Sequence, residues 1–152
     1  MVTDMETGRS AVTEAGLDRS PARAASVLRA FIVEDSPIIL VNLTAALEEI
    51  DPARVRVIGH AEDEDTAVRR LQQLGSEVDL IIIDIFLKKG SGLAVLVAAA
   101  RADFPARRIV VTNYATPDIR KRCLAMGAHQ VFDKSVDLDA LLDYCAGRVR
   151  QS

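Results

Sequence analysis

Asp84 closes the apolar run Leu80 to Ile83 and is followed within a few residues by Lys88, Lys89, Gly90 and Gly92. A buried run that ends in a carboxylate and then breaks into glycines describes a parallel strand whose tip opens on a crevice. Three further runs end in comparable chemistry: Glu34-Asp35 after Val33, Thr112 after Val111, and Lys134 after Asp133. If those runs are strands of one sheet, three carboxylates, a hydroxyl and an ammonium converge. Carboxylates crowded into one crevice raise one another's pKa, so a cation is needed to keep them ionised together. A hard divalent ion fits: Mg2+, or Mn2+ in its place, takes carboxylate oxygens, keeps several waters and touches phosphate. A carboxylate beside such an ion and a lysine is a nucleophile toward phosphorus, which makes Asp84 a candidate for an aspartyl phosphate. Lys134 and Thr112 then suit the phosphoryl oxygens. Each residue alone has an ordinary reading as a turn acid, a strand hydroxyl or a surface charge. Four successive strand tips outweigh those readings.

The elements that must position these residues follow from the pattern. Val27 to Val33 reads as a first strand, after which Ser36 can cap and Pro37 can start a helix. That helix carries Leu40, Leu43, Leu47 and Ile50 at helical spacing and is dense enough in apolar residues to be expected well buried. Asp51-Pro52 breaks it. Val55 to Ile58 reads as a short second strand, Asp63 opens a helix with Ala67, Val68, Leu71 and Leu74 inward, and Gly75 ends that helix. After the third strand, Leu80 to Asp84, a helix places Leu93, Leu96, Val97 and Ala100 on one face until Pro105. A fourth strand, Ile109 to Thr112, leads through Asn113, Tyr114 and Ala115 to Thr116-Pro117-Asp118, a cap, a proline and an acid in helix-start order. That helix stops at Gly127. Val131 to Asp133 is the last strand, and Asp137 caps a final helix with Leu138, Leu141, Leu142 and Cys145 inward. Five strands alternating with five helices argue a doubly wound α/β fold, a five-stranded parallel sheet with helices on both faces. In such sheets ligands bind outside the carboxyl ends of the strands, where Asp84 and its companions lie.

Composition excludes several classes. The hydrophobic content of 49% is carried by aliphatic residues with no Trp, and a net charge of −3 gives no electrostatic footprint for nucleic acid. Cys123 and Cys145 have no CxxC or Cys/His companion at metal spacing and are expected as reduced, buried thiols. The N-terminus lacks the apolar stretch of a signal peptide, and no run approaches the ~20 apolar residues of a membrane helix. The expectation is a soluble, cytoplasmic protein with no membrane partner. Residues 1–25 mix small and charged residues without a sustained period, so they are expected to form a disordered tail, within which Ser20-Pro21 resembles a helix start. The domain then spans residues 26–150.

On these residues the chain resembles the response-regulator receiver family, the phosphoacceptor half of two-component signalling. The resemblance runs from about Val27 to Arg150 and rests on the acidic pair in FIVEDSP, Asp84 in LIIIDIFLKKGSG, Thr112 in IVVTNYA and Lys134 in VFDKS. It implies a flavodoxin-like sheet of strand order 2-1-3-4-5. It further implies that Asp84 takes a phosphoryl group from a histidine kinase or a histidine phosphotransfer protein. Asp35, Asp84 and the backbone carbonyl of Phe86 would bind Mg2+, Glu34 would assist through water, and Thr112 and Lys134 would contact the phosphoryl oxygens. Such a protein accepts a group rather than turning over a substrate, and it signals to a downstream protein through altered binding.

The sequence departs from that family at several positions. Val131 stands where an aromatic switch residue is usual, Ser135 replaces a common Pro, so its cis bond is not expected, Asn113 replaces a small residue, and Lys88 replaces a frequent Pro. Without a ring at Val131, the loop Asn113 to Pro117 and the helix after it are expected to form the phosphorylation-sensitive surface; alternatively Tyr114 packs over the site and slows water. Competing functions are weaker. A phosphatase with an aspartate nucleophile resembles D-x-D, whereas Phe86 holds the second position here. A nucleotide-binding module would need GxGxxG or a P-loop, and the sequence has neither. A pseudo-receiver acting only in docking is disfavoured by the intact set of five residues. The stretch after Lys134 accommodates one helix and no output domain, so a stand-alone receiver is expected.

Overall fold

The computed structural model describes residues 26–102 and 105–151. The expectations for residues 1–25 lie outside the described residues. Five strands and five α-helices alternate: β1 Leu28–Val33, α1 Pro37–Ile50, β2 Val55–Ala61, α2 Glu64–Leu74, β3 Leu80–Asp84, α3 Gly92–Arg101, β4 Arg107–Thr112, α4 Pro117–Ala125, β5 Gln130–Asp133 and α5 Leu138–Gln151. All pairings are parallel and the strand order is β2-β1-β3-β4-β5. This is the doubly wound five-stranded sheet expected from the alternation. A short 3-10 turn, Gly75–Glu77, follows α2. Among the described residues no helix is long and apolar enough to cross a membrane.

Alternation along the strands sorts two cores. Phe31, Val33, Ile81, Ile83 and Val110 face one way and pack with Ala67, Leu71, Val95, Leu96 and Cys123 of α2, α3 and α4. Leu28, Ala30, Ile32, Ile82, Ile109 and Val111 face the other way against Leu43 and Leu47 of α1 and Leu141 and Cys145 of α5. Each fully buried Leu, Ile or Phe contributes about 1.5–3 kcal/mol of transfer free energy, so both layers are needed. Both cysteines are free and buried, and burial pushes the Cys145 thiol up to about 12.

Several helix starts follow local chemistry. Ser36 Oγ accepts the N–H of Ile39, Asp63 accepts that of Thr66, and Thr116 accepts that of Ile119. Four expectations need correction. β2 continues past Ile58 to Ala61, because a bulge between Ala30 and Phe31 lets Gly59, His60 and Ala61 stay paired with β1. α1 is less buried than expected: only Leu43 and Leu47 are buried, while Ile38 (73% exposed) and Val41 (66%) point away from the sheet. In α3 the fully buried stripe is Gly92, Val95, Leu96 and Ala99; Leu93 is half-buried and packs against the same core as expected, whereas Val97 and Ala100 are only half-buried. A helix apolar on every side offers no period to choose between faces. Leu138 is exposed, since it opens α5 beyond the tip of β5 and the inward line begins at Leu141.

Candidate functional site

The carboxyl ends of β1, β3, β4 and β5 meet at the middle of the sheet. There the order reverses, because the chain winds outward from β1 to β2 on one side and from β3 to β5 on the other. β1 ends at Val33, and the next two residues are Glu34, buried, and Asp35, half-buried. β3 ends in Asp84, also buried; in the register Asp84 stands opposite Val111, so Thr112 lies one residue further along β4. β5 delivers Lys134, whose backbone N–H donates to the carbonyl of Thr112 at 2.9 Å.

The Lys134 ammonium bridges two of the carboxylates. Its Nζ lies 2.8 Å from Glu34 Oε1 and 3.0 Å from Asp84 Oδ2. The other oxygens are held by main-chain donors: Ser36 N–H reaches Glu34 Oε2 at 3.1 Å, Phe86 N–H reaches Asp84 Oδ1 at 3.0 Å, and Lys88 N–H reaches Asp35 Oδ2 at 2.6 Å. Burial raises the pKa of Glu34 despite the bond from Lys134, and the charge of Asp84 pushes the same way. Burial works against the Lys134 charge, but its bonds to Glu34 and Asp84 outweigh that and raise its pKa. The site therefore holds a firm cation and more carboxylate than one cation neutralises.

Glu34, Asp35 and Asp84 each offer an oxygen within 4.8 Å of the others. The set is all carboxylate, hard and partly buried, and it suits a small divalent ion that keeps water on its open side. A crevice of about 360 Å³ lies over these groups, and Phe86 and Tyr114 form part of its wall. Their rings meet edge to face with centroids 5.6 Å apart. Tyr114 is 65% exposed and Phe86 53%, so the pair stands at the rim. Asn113 lines the same crevice. Thr112 is fully buried behind it, and its Oγ1 accepts the N–H of Tyr114 at 3.2 Å. Val131 is buried in the core under α4. A second cavity of about 270 Å³ runs behind Lys134 beside Leu43, Phe132 and Leu141; mostly apolar, it does not reach Asp35 or Asp84.

Two positioning residues had no signal in the sequence. Glu64 Oε1 accepts the N–H of Ser91 at 2.9 Å, while its own N–H donates to Lys89 C=O at 3.3 Å, which fastens the loop after Asp84 to the start of α2. Gly90 has a φ of +81° and a Cβ there would lie 2.4 Å from that of Glu64, so the loop's glycine is set by this contact. Arg120 bonds three elements at once through its guanidinium. Both are charged residues of solvent-facing helices, and periodicity gives such residues no distinction.

The comparisons with known proteins agree with this geometry. The model of the response regulator receiver domain matches residues 30–146. The uncharacterized transcriptional regulatory protein YvfU of Bacillus subtilis is 30% identical over 117 residues, 77% of this chain and 56% of that protein. The chain thus spans little more than half the length of that curated relative. Among solved structures, the CheX-CheY-BeF3-Mg2+ complex from Borrelia burgdorferi superposes with a TM-score of 0.72 at 24% identity, covering 80% of this chain and 88% of that one. A CheY-like receiver domain protein from Methanospirillum hungatei gives 0.67 at 26% identity, covering 83% and 96%. With a family match across most of its length and an acidic crevice at the strand tips, this chain belongs to the response regulator receiver domain family of two-component signalling.

Proposed function

We propose that this chain accepts a phosphoryl group on Asp84 from a histidine kinase or histidine phosphotransfer protein and signals through altered protein binding. The observation that carries the reading is the Lys134 ammonium, 3.0 Å from Asp84 Oδ2 and 2.8 Å from Glu34 Oε1, beside the free edge of an acidic cluster. In the transfer, an oxygen of Asp84 bonds to phosphorus while the phosphorus–nitrogen bond of the donor phosphohistidine breaks and the imidazole leaves. Phe86 N–H orients the Asp84 carboxylate by holding Oδ1, and Lys134 faces Oδ2, where negative charge accumulates on the transferred group. Thr112, whose hydroxyl oxygen already accepts from Tyr114, keeps its O–H free to donate to a phosphoryl oxygen. Glu34, Asp35, Asp84 and the Phe86 carbonyl would hold Mg2+, which supplies charge neutralisation for the phosphoryl oxygens when bound. That the Borrelia burgdorferi neighbour was solved with BeF3 and Mg2+ supports this assignment.

The test is intact mass after incubation with a small acyl phosphate and Mg2+. Wild type should gain one phosphoryl group, labile to hydroxylamine, and Asp84→Asn none. Equal uptake by the two proteins would overturn the assignment. Phosphotransfer from candidate kinases, followed in the same way, identifies the donor.

A further inference from the structure

The guanidinium of Arg120, on α4, makes bonds to three different elements. Nε donates to the carbonyl of Ala115 at 3.0 Å, Nη1 to the carbonyl of Val131 at 2.8 Å, and Nη2 to Asp137 Oδ2 at 3.2 Å. Ala115 belongs to the loop between β4 and α4, Val131 to β5, and Asp137 to the approach to α5. The same Asp137 oxygen accepts the N–H of Asp133 at 2.9 Å, so the arginine is joined to the end of β5 as well. α4 needs none of this to start, since Thr116 caps it. Only arginine offers several N–H donors in one rigid plane, and here they are spread over three acceptors.

The tied loop is the one that holds Thr112. Thr112 Oγ1 accepts from Tyr114 N–H at 3.2 Å, and Thr116 N–H closes on Tyr114 C=O at 2.8 Å. Thr112 is 0% exposed and does not line the crevice that Glu34, Asp84 and Lys134 line. A hydroxyl placed there, drawn to a phosphoryl oxygen on Asp84, would carry the segment 112–115 toward the crevice. Arg120 holds that segment at the Ala115 carbonyl, 3.0 Å from its Nε. Val131 is buried and aliphatic, with no side-chain group to take over the connection.

We propose that Arg120 is a positioning residue that holds the segment 112–115 in its resting place, so that loading of Asp84 and the Arg120 clasp oppose one another. The inference rests on the reading of Asp84 as phosphoacceptor. The opposition is reciprocal by linkage: what removes the clasp favours the loaded site, and what loads the site loosens the clasp. A released guanidinium leaves Asp137 and the Val131 carbonyl, which frees the junction of β5 and α5.

The experiment uses the full chain and beryllofluoride with Mg2+ as the probe, with bound fluoride read by fluorine NMR. Wild type, Arg120→Ala, Arg120→Lys and Asp84→Asn are compared, with melting temperatures measured beside the affinities. Arg120→Ala should melt lower than wild type yet bind beryllofluoride about fivefold tighter or more. Arg120→Lys keeps a charge beside Asp137 but has no fork for Ala115 and Val131, and should shift in the same direction. A structural role alone would lower the melting temperature with beryllofluoride affinity unchanged or weaker in both variants, and that result overturns the clasp. Should Arg120→Ala fail to fold, Arg120→Lys and hydrogen exchange of wild type decide. Loading must speed exchange at the Asp133 amide, and unchanged protection there overturns the inference. No binding by wild type, or equal binding by Asp84→Asn, overturns the phosphoacceptor reading and the clasp with it. Normal binding by wild type with no gain in the Arg120 variants overturns the clasp alone.

Discussion

Lys134 Nζ lies 2.8 Å from Glu34 Oε1, across 100 residues of sequence, and the Glu34 side chain is only 2% exposed. Lys134 also serves Asp84, so two buried carboxylates share one ammonium. Removing the lysine while keeping its bulk, as in Lys134→Met, strands both charges and should cost about 3 kcal/mol at pH 8. The loss should shrink toward pH 5. Burial already raises the Glu34 pKa, and without Lys134 it rises further, so the folded variant binds a proton more tightly than the unfolded chain. Its stability therefore falls as pH climbs through that pKa. Urea midpoints at the two pH values check this; an equal loss at both would show that Glu34 is not the group left uncompensated.

His129 gives wild type a slope of the opposite sign. Its ring Nδ1 accepts the backbone N–H of Arg108 at 2.9 Å, and its backbone N–H returns a bond to Arg108 C=O at 2.8 Å. Burial, with the charges of Arg107, Arg108 and Arg148, holds its pKa below the ordinary 6.5. The folded state thus binds this proton less readily than the unfolded one. The contribution is complete above 6.5 and declines as pH falls from there through the lower folded value. His129→Asn offers an oxygen near the Nδ1 position without titrating, so it should flatten the decline while leaving stability at pH 8 close to wild type. A slope unchanged in His129→Asn would assign the decline to other groups.

Asp35 carries the prediction for metal. Its Oδ2 is engaged by Lys88 N–H at 2.6 Å, while Glu34 and Asp84 each bring a carboxylate oxygen within 4.8 Å of one of its own. An ion that binds only the folded arrangement of these carboxylates stabilises it by about 2.7 kcal/mol at a hundred times its dissociation constant. Mg2+ should therefore raise the melting temperature of wild type and leave that of Asp35→Asn nearly unmoved. The Lys88 amide, at the edge of the same cluster, should change its hydrogen-exchange rate on addition of the ion. Equal thermal shifts in the two proteins would place Mg2+ elsewhere.

The parts of this molecule that were legible in its sequence are those with a local cause. Each strand tip announces itself because an apolar run meets a charge, as Ile83 meets Asp84 and Val33 meets Glu34. The caps at Ser36, Asp63 and Thr116 are equally local, and all three accept the bonds expected of them. Rotation of the helices was not legible. α1 and α3 are apolar around most of their circumference, so the buried face is chosen by tertiary contact, and in α3 it is Val95 and Ala99 rather than Val97 and Ala100 that are fully buried. The bonds of Glu64 and Arg120 to other elements were hidden for a related reason: a charged residue on an outer helix face looks the same whether it meets water or the backbone of a loop. The end of β2 was not legible beyond Ile58, where the apolar residues of the strand stop, whereas pairing with β1 carries it on to Ala61.

Gly92 supplies the last prediction. A Cβ at this position would lie 2.0 Å from the Asp84 carbonyl oxygen and 2.5 Å from Ile85 Cα, so α3 and the end of β3 touch backbone to backbone directly beneath the candidate phosphoacceptor. No flexible side chain is available to give way. Gly92→Ala must either push α3 off the sheet or drag Asp84 with it, at a cost of about 1–3 kcal/mol by the usual penalty for overpacking. Movement of Asp84 would also disturb the 3.0 Å bond from Phe86 N–H that orients its carboxylate, so phosphorylation should slow along with the loss of stability. Gly75→Ala provides the contrast. Gly75 has a φ of +54° with nothing within 4 Å of its missing Cβ, and it lies at the end of α2, away from the site. An alanine there strains the backbone by about 1 kcal/mol or more and touches nothing else. Urea denaturation should therefore show both variants weakened, whereas the initial rate of labelling by a small acyl phosphate should fall only in Gly92→Ala. Equal labelling rates in the two variants would show that the contact between α3 and β3 supports the fold without positioning Asp84.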